Sequence, residues 1–302
     1  MIIISNNLDF VLNEPTVLAI GKFDGDHIGH QKLFSTMREI KANEGLAIAA
    51  FTFAFSNSQL ITSVEEKRKR LENEGVDYLI EYPFNDSIKE INAKVFLTDV
   101  LLSKLKMKHI VAGTDCSFGH NREGNVEFLH RFSKELNYDV TIIDKVKYND
   151  TEISSTLIRE LINEGFVEKV NTLIGSPYQL SGIVEVGNRK GASELGFPTV
   201  NIMNAEHKAF PKRGVYYSHV ILPNGCIYKG ITNIGTNPSI SDDKFNHIER
   251  CETHIIDYSG DLYNQRITIQ FIKRLRDEIV FNSLQSLKDQ LSIDLNSVRN
   301  LD

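Results

Sequence analysis

The 302-residue chain has only three cysteines, Cys116, Cys226 and Cys251, and no Cys-x-x-Cys. Their wide spacing excludes a disulfide framework and a thiolate zinc site, and fits a reducing compartment. No apolar run approaches ~18 residues, so a membrane-spanning helix is not expected. The opening Met1-Ile2-Ile3-Ile4-Ser5-Asn6-Asn7 turns polar too soon for a secretory leader, and the expectation is a soluble, cytoplasmic protein. Positive charge is not in excess: the formal net charge is −6 and the pI about 5.9, which gives no reason to expect a nucleic-acid or membrane-surface partner. Neither the Gly-x-x-x-x-Gly-Lys-Ser/Thr loop nor Gly-x-Gly-x-x-Gly occurs, so the commoner phosphate-cradling loops are absent. Internal repeats and low-complexity tracts are missing as well.

What remains is ordinary globular composition, 41% apolar and 25% charged, in a chain long enough for two domains with their own cores. Up to about residue 175, strand-like runs alternate with helix-like stretches, the pattern of a parallel sheet covered by helices. Strands are expected at Thr16 to Ile20, Ala47 to Phe53, Tyr78 to Tyr82, His109 to Ala112 and Asp139 to Ile143. Helices are expected at Val64 to Glu74, stopping at Gly75, and near Ala93 to Leu105. The grammar changes at Gly175-Ser176-Pro177-Tyr178, placing the domains at 1–178 and 179–302. Beyond it, alternation and tight turns predict an antiparallel barrel or sandwich. A hairpin is expected for Val215 to Ile221 and Cys226 to Thr232 about Asn224-Gly225, and another pair for His254 to Asp257 and Ile267 to Phe271. A closing helix carries Val280, Leu284, Leu287 and Leu291 on one stripe.

The densest chemistry lies in Gly21-Lys22-Phe23-Asp24-Gly25-Asp26-His27-Ile28-Gly29-His30, between a strand and a helix. Spacing i, i+3 puts His27 and His30 on one face at a helix start, where free N–H groups and the dipole favour phosphate. Singly, each histidine is more often a surface or satisfied core residue; behind Gly-x-Phe-Asp-Gly the pair points to a site. Further along, Gly113-Thr114-Asp115-Cys116-Ser117-Phe118-Gly119, with Arg122 and Gly124, follows a strand end, where open α/β sheets bind ligands. Ser154 or Ser155 can cap the helix after Ile153; together with Thr156 and Arg159 the serines also make a set suited to a polyphosphate.

The string from Gly21 to His30 resembles the His-x-Gly-His signature of nucleotidyltransferases, in its FMN adenylyltransferase form. Gly113 to Gly119 with Arg122, and Ile153-Ser154-Ser155-Thr156-Leu157-Ile158-Arg159, resemble that family's later motifs. Gly196-Phe197-Pro198-Thr199-Val200-Asn201, Gly230 to Gly235 and Glu252-Thr253-His254-Ile255 are similar to riboflavin kinases. Over nearly its whole length the chain resembles the bacterial bifunctional riboflavin kinase/FMN adenylyltransferases. The resemblance implies a Rossmann-like α/β nucleotidyltransferase domain, then an antiparallel β-barrel kinase domain with a C-terminal helix. It implies that His27, His30 and Arg159 act on phosphate, that Gly21, Phe23, Asp24, Gly25, Gly29, Asp115, Arg122, Ser154, Ser155 and Thr156 hold ATP and flavin, and that Gly196 and Asn233 bind in the second domain. Glu252 is the implied base for riboflavin, with Thr199 and Asn201 on Mg2+. The implied partners are ATP, FMN and riboflavin, with an oligomer allowed. The alternative is a monofunctional FAD synthetase with a non-catalytic flavin-binding or regulatory barrel.

The chain departs from the family pattern at several points. Phe53-Ala54-Phe55-Ser56-Asn57 stands for Phe-x-Pro-His-Pro, and Cys116 replaces an aromatic. Ala192-Ser193 replaces Gly-Arg, with Arg189 and Lys190 nearby, Pro238-Ser239 replaces Pro-Thr and Tyr263-Asn264 replaces Tyr-Gly.

Overall fold

The computed structural model describes residues 1–5, 9–54, 59–83, 90–185, 197–202, 207–236 and 249–301. The chain forms two compact units, Met1–Asn57 with Thr62–Ser155, and Ser58–Ile61 with Thr156–Asp302.

In the first unit six strands make a parallel sheet: β1 (Ile2–Ser5), β2 (Thr16–Ile20), β3 (Ala47–Ala54), β4 (Tyr78–Pro83), β5 (Met107–Gly113) and β6 (Asp139–Ile143). Their order is β1-β4-β3-β2-β5-β6. Alternate residues of β2 feed opposite faces: Val17 and Ala19 pack with Phe34 and Met37 of α1 (Ile28–Glu44), whereas Leu18 packs with Phe96, Leu97 and Leu101 on the other side. Both faces are thus buried, as a parallel sheet requires. The Phe96 face is supplied by a helical stretch that begins as α3 (Ala93–Val95) and continues in π form over Phe96–Lys104. α2 (Val64–Asn73) opens on a capping box between Ser63 and Glu66, and Gly75 takes φ +84° just past its end. α4 (Val126–Leu136) precedes β6. Chain order runs outward from β2 in both directions, to β3 on one side and β5 on the other, so the switch point lies between β2 and β5.

A two-stranded ribbon, β7 (Lys147–Tyr148) and β8 (Thr151–Glu152), leads into α5 (Ser155–Glu164) and α6 (Val167–Ile174). The unit division falls inside α5, after Ser155.

The second unit is a closed antiparallel barrel, ordered β10-β13-β12-β11-β14-β9. Its strands are β9 (Tyr178–Glu185), β10 (Thr199–Ile202), β11 (Gly214–Ile221), β12 (Ile227–Thr236), β13 (Glu249–Ile255) and β14 (Arg266–Arg276). Closure removes exposed edges, which decides between barrel and sandwich. One wall face carries Tyr216, Ser218, Thr232 and Thr253, all fully buried, with the three hydroxyls linked at 2.7 and 2.9 Å. The other face, with Val215, Tyr217 and Ile231, packs against α7 (Leu284–Arg299) through Leu295 and Val298.

Two expectations are corrected here. β13 and β14 are not a pair: β13 lies between β10 and β12, and β14 between β11 and β9. Local alternation marks strands but carries no information on non-local partners. The closing helix starts at Leu284, and Val280 precedes it at 93% exposure, so the covering stripe is Leu287, Leu291, Leu295 and Val298. No helix among the described residues is long and apolar enough to cross a membrane.

Candidate active sites

The β2–α1 connection builds the first site. Phe23 and Asp26 take φ +49° and +38°, and Gly25 takes φ +93°, a conformation glycine adopts without strain. The folded-back turn buries Asp24, which accepts from the Thr62 amide at 3.0 Å and from its hydroxyl at 3.3 Å. The Thr62 hydroxyl in turn accepts from the Gly25 amide at 3.2 Å, and Ser155 Oγ donates to the Asp24 carbonyl at 2.8 Å.

His27 occupies the N-cap position of α1, and its ring stacks on that of His30 with centroids 3.9 Å apart and planes 17° apart. The Phe23 ring meets His30 edge-on at 5.5 Å. Four buried side-chain polar atoms lack a hydrogen-bond partner among the described residues, and three belong to this turn: Asp26 Oδ1, His27 Nδ1 and His30 Nδ1. Burial pushes the His27 imidazole down to about 4, against the opposing influence of a backbone hydrogen bond, Asp24 and Asp115. His30 is held well below the ordinary histidine value by burial and then by His27. Both rings are therefore neutral at pH 7, and each offers one N–H donor and one acceptor. Burial, aided by Glu74, pushes Asp26 up to about 6, partly opposed by Arg70 and Arg38.

The rings line a cleft of about 880 Å³ at the sheet's switch point, within the size range of ligand sites. Gly21, Phe23, His27, Gly29, His30, Asp115, Arg122, Ser154 and Ser155 all reach it. Asp24 and Gly25 support it from the turn beneath. Thr156 and Arg159 lie in the second unit; Thr156 is exposed and Arg159 Nε donates to the Gln59 carbonyl at 3.0 Å. Sequence reasoning missed Lys145, which lines the cleft and pairs with Asp115 at 3.6 Å and Glu152 at 3.1 Å. It missed Thr62 too, because a partner 38 residues from Asp24 leaves no local signal. Phe53, Phe96 and Phe118 give the cleft aromatic walls suited to a planar ring system. Cys116 also lines it, and burial raises its thiol to about 11, so the thiol stays protonated and unreactive.

The second site lies on the outer barrel wall, in a cavity of about 310 Å³. Asn201, Glu252 and Asn233 stand opposite one another in register on β10, β13 and β12, so their side chains share a face. Thr199, two residues before Asn201 on that face, donates its hydroxyl to Glu252 Oε1 at 2.6 Å. His254 Nδ1 lies 2.8 Å from the Pro198 carbonyl, which can only accept, so the proton sits on Nδ1. Asn233 Nδ2 approaches Glu278 Oε1 at 3.5 Å. A hydroxyl, an amide oxygen and a carboxylate on adjacent positions form a donor set that fits a hard divalent cation. Gly196, Arg189, Lys190, Ala192, Ser193, Ser239 and Phe55 to Asn57 lie outside the described residues. Elsewhere, Glu44, His109 and Asp139 bring ligand atoms within 4.8 Å, but His109 is engaged by Glu44 at 3.2 Å and Thr141 at 2.8 Å.

Comparison with known proteins gives both halves of the chain a family. A family model described as FAD synthetase matches residues 10–157, and one described as riboflavin kinase matches residues 174–301. A bifunctional riboflavin kinase/FMN adenylyltransferase of Buchnera aphidicola subsp. Schizaphis graminum is 32% identical over 299 residues, 95% of this chain and 94% of its own. That of Listeria monocytogenes is 33% identical over 293 residues, 94% and 91% of the two chains. A crystal structure described as a macrolide-efflux protein from Streptococcus pneumoniae matches all of both chains, with a TM-score of 0.90 and 29% identity. With the stacked histidines in one unit, the Thr199–Glu252 pair in the other and near-complete coverage of these relatives, the chain belongs to the bifunctional riboflavin kinase/FMN adenylyltransferase family.

Proposed function

We propose that this chain makes FAD from riboflavin in two ATP-dependent steps, one in each domain of the division at 178/179. In the second domain the terminal ribityl hydroxyl attacks the γ-phosphorus of ATP, giving FMN and ADP, and Glu252 takes the hydroxyl proton. Thr199, hydrogen-bonded to Glu252, orients the carboxylate. Thr199 and Asn201 would hold Mg2+, which neutralises phosphate charge. In the first domain a phosphate oxygen of FMN attacks the α-phosphorus of a second ATP, and pyrophosphate leaves. No covalent enzyme intermediate is needed, so catalysis there rests on position and charge.

The observation that carries this reading is the stacked, neutral His27–His30 pair at the helix start, two residues of the cleft lining whose buried Nδ1 atoms have no hydrogen-bond partner among the described residues. Neutral imidazoles offer hydrogen-bond donors to a phosphate, and those bonds strengthen as negative charge grows in the transition state. Arg159 is assigned to phosphate by the resemblance of its motif alone. The substrates are small molecules, the setting cytoplasmic, and no nucleic-acid or membrane partner enters the reading.

Product analysis tests it. Riboflavin with ATP and Mg2+ is expected to yield FMN, then FAD; FMN with ATP and Mg2+ is expected to yield FAD and pyrophosphate. FAD from FMN but no conversion of riboflavin leaves a monofunctional FAD synthetase. Neither product defeats both assignments.

A further inference from the structure

The helix that closes the barrel carries a charge where its stripe calls for a hydrocarbon. Leu287, Leu291 and Val298 place Asp294 on the covering face at i+7, i+3 and i−4, and Asp294 is only 4% exposed. A carboxylate so placed is costly unless paired, and replacing such a pair by apolar side chains is often neutral or stabilising. Its partner is Arg276, the last residue of β14: Nε lies 3.1 Å from both carboxylate oxygens and Nη2 2.7 Å from Oδ2. Gln290 Nε2 steadies Asp294 Oδ1 at 2.9 Å, and Arg276 Nη1 donates to the Asp277 carbonyl at 3.0 Å. The guanidinium is thus held in one plane from two sides.

Arg276 also lines the 310 Å³ cavity that contains Glu252, Asn233 and Thr199. A guanidinium has five N–H donors. Asp294 and the Asp277 carbonyl account for three, leaving one on each terminal nitrogen. We propose that Arg276 is a flavin-contacting residue whose remaining donors bind carbonyl or hydroxyl oxygens of riboflavin beside Glu252, and that Asp294 of the closing helix is the positioning residue that aims it. Leu287 and Leu291, from the same helix, line the apolar part of the cavity, so one helix supplies both the contact for a flat ring system and the clamp on its polar anchor. This rests on the kinase reading of the barrel and adds a specificity-determining pair to it.

The full chain tests it with riboflavin as the probe. Arg276→Lys keeps the charge opposite Asp294 but loses the fork; it is expected to melt within a few degrees of wild type yet to bind riboflavin, read by quenching of flavin fluorescence, at least ten-fold more weakly. Asp294→Asn keeps shape and loses the clamp; KM for riboflavin is expected to rise by ten-fold or more, with KM for ATP within about two-fold. FAD formation from FMN on the same chains is expected to stay unchanged and reports an intact first domain. A purely structural pair would lower melting temperature and leave riboflavin affinity of the folded protein alone, and that result overturns the proposal. Should Asp294→Asn unfold the barrel, Arg276→Lys decides by itself. Failure of the wild-type chain to bind riboflavin defeats the kinase reading and this proposal together; equal binding by wild type and Arg276→Lys defeats the proposal alone.

Discussion

Asp26 and His27 are neighbours whose buried charges are disfavoured in opposite senses. The Asp26 carboxyl, pushed to about 6, binds a proton in the folded state between pH 3.8 and 6 that the unfolded chain has released. Its ionisation therefore costs stability as pH rises through that window, by about 2–3 kcal/mol once complete. His27, lowered to about 4, does the reverse: the unfolded chain takes up a proton below 6.5 that the folded one refuses, so stability falls as pH drops from 6.5 towards 4. Asp26→Asn is expected to raise the melting temperature of the first unit at pH 7.5, with the gain shrinking below pH 6 and gone near pH 4. Asparagine tolerates the φ of +38° as well as aspartate does, so backbone strain should not confound the comparison. Thermal melts across that range check it; a gain independent of pH would contradict the burial of a charge there. The unpaired state of Asp26 was invisible in the sequence, where it is one more polar residue of a turn.

At the scale of elements, the first site is a strand, a folded-back turn and one helical turn. Its parts were legible because the information is local: i, i+3 spacing places both rings, and glycine supplies the turn. Gly29 shows how tight the fit is, since a Cβ there would lie 3.1 Å from Cε1 and Nδ1 of the His27 ring. Gly29→Ala improves helix propensity by roughly 0.5–1 kcal/mol yet presses on the His27 ring, which we propose acts on phosphate. FAD formation from FMN is expected to fall by ten-fold or more while melting temperature holds or rises. Activity equal to wild type would mean the His27 ring position does not matter. The barrel elements were less legible. Hairpin chemistry at Asn224-Gly225 identified β11 and β12 because that turn is written in adjacent residues. β13 alternates just as plainly but finds its partners in β10 and β12, a choice made by register and closure. β1 pairs with β4 at the sheet's edge through four residues too few to stand out in a pattern.

For the whole molecule the decisive feature is that each cavity is built within its own compact unit. The two reactions are therefore separable by mutation. His30→Ala is expected to cut FAD formation from FMN by about a hundred-fold or more, the scale of losing a preorganised electrostatic contact, and to leave riboflavin phosphorylation unaltered. Glu252→Ala is expected to do the opposite. An equimolar mixture of the two variants, given riboflavin, ATP and Mg2+, should again produce FAD, because FMN released by one can be used by the other. Chromatographic quantification of flavins checks all three; loss of both activities in either single variant would contradict the division.

By itself the sequence determined the two-part plan and put forward the candidate residues of both sites, since strand-turn-helix grammar, paired imidazoles and the Pro-Thr-x-Asn turn are written in contiguous residues. Only the tertiary structure decided that the second half closes into a barrel, that Thr62 pins Asp24, that Lys145 joins Asp115, and that Asp294 meets Arg276. Those outcomes depend on contacts between residues 18 to 38 or more positions apart, which packing and burial select and no local spacing encodes.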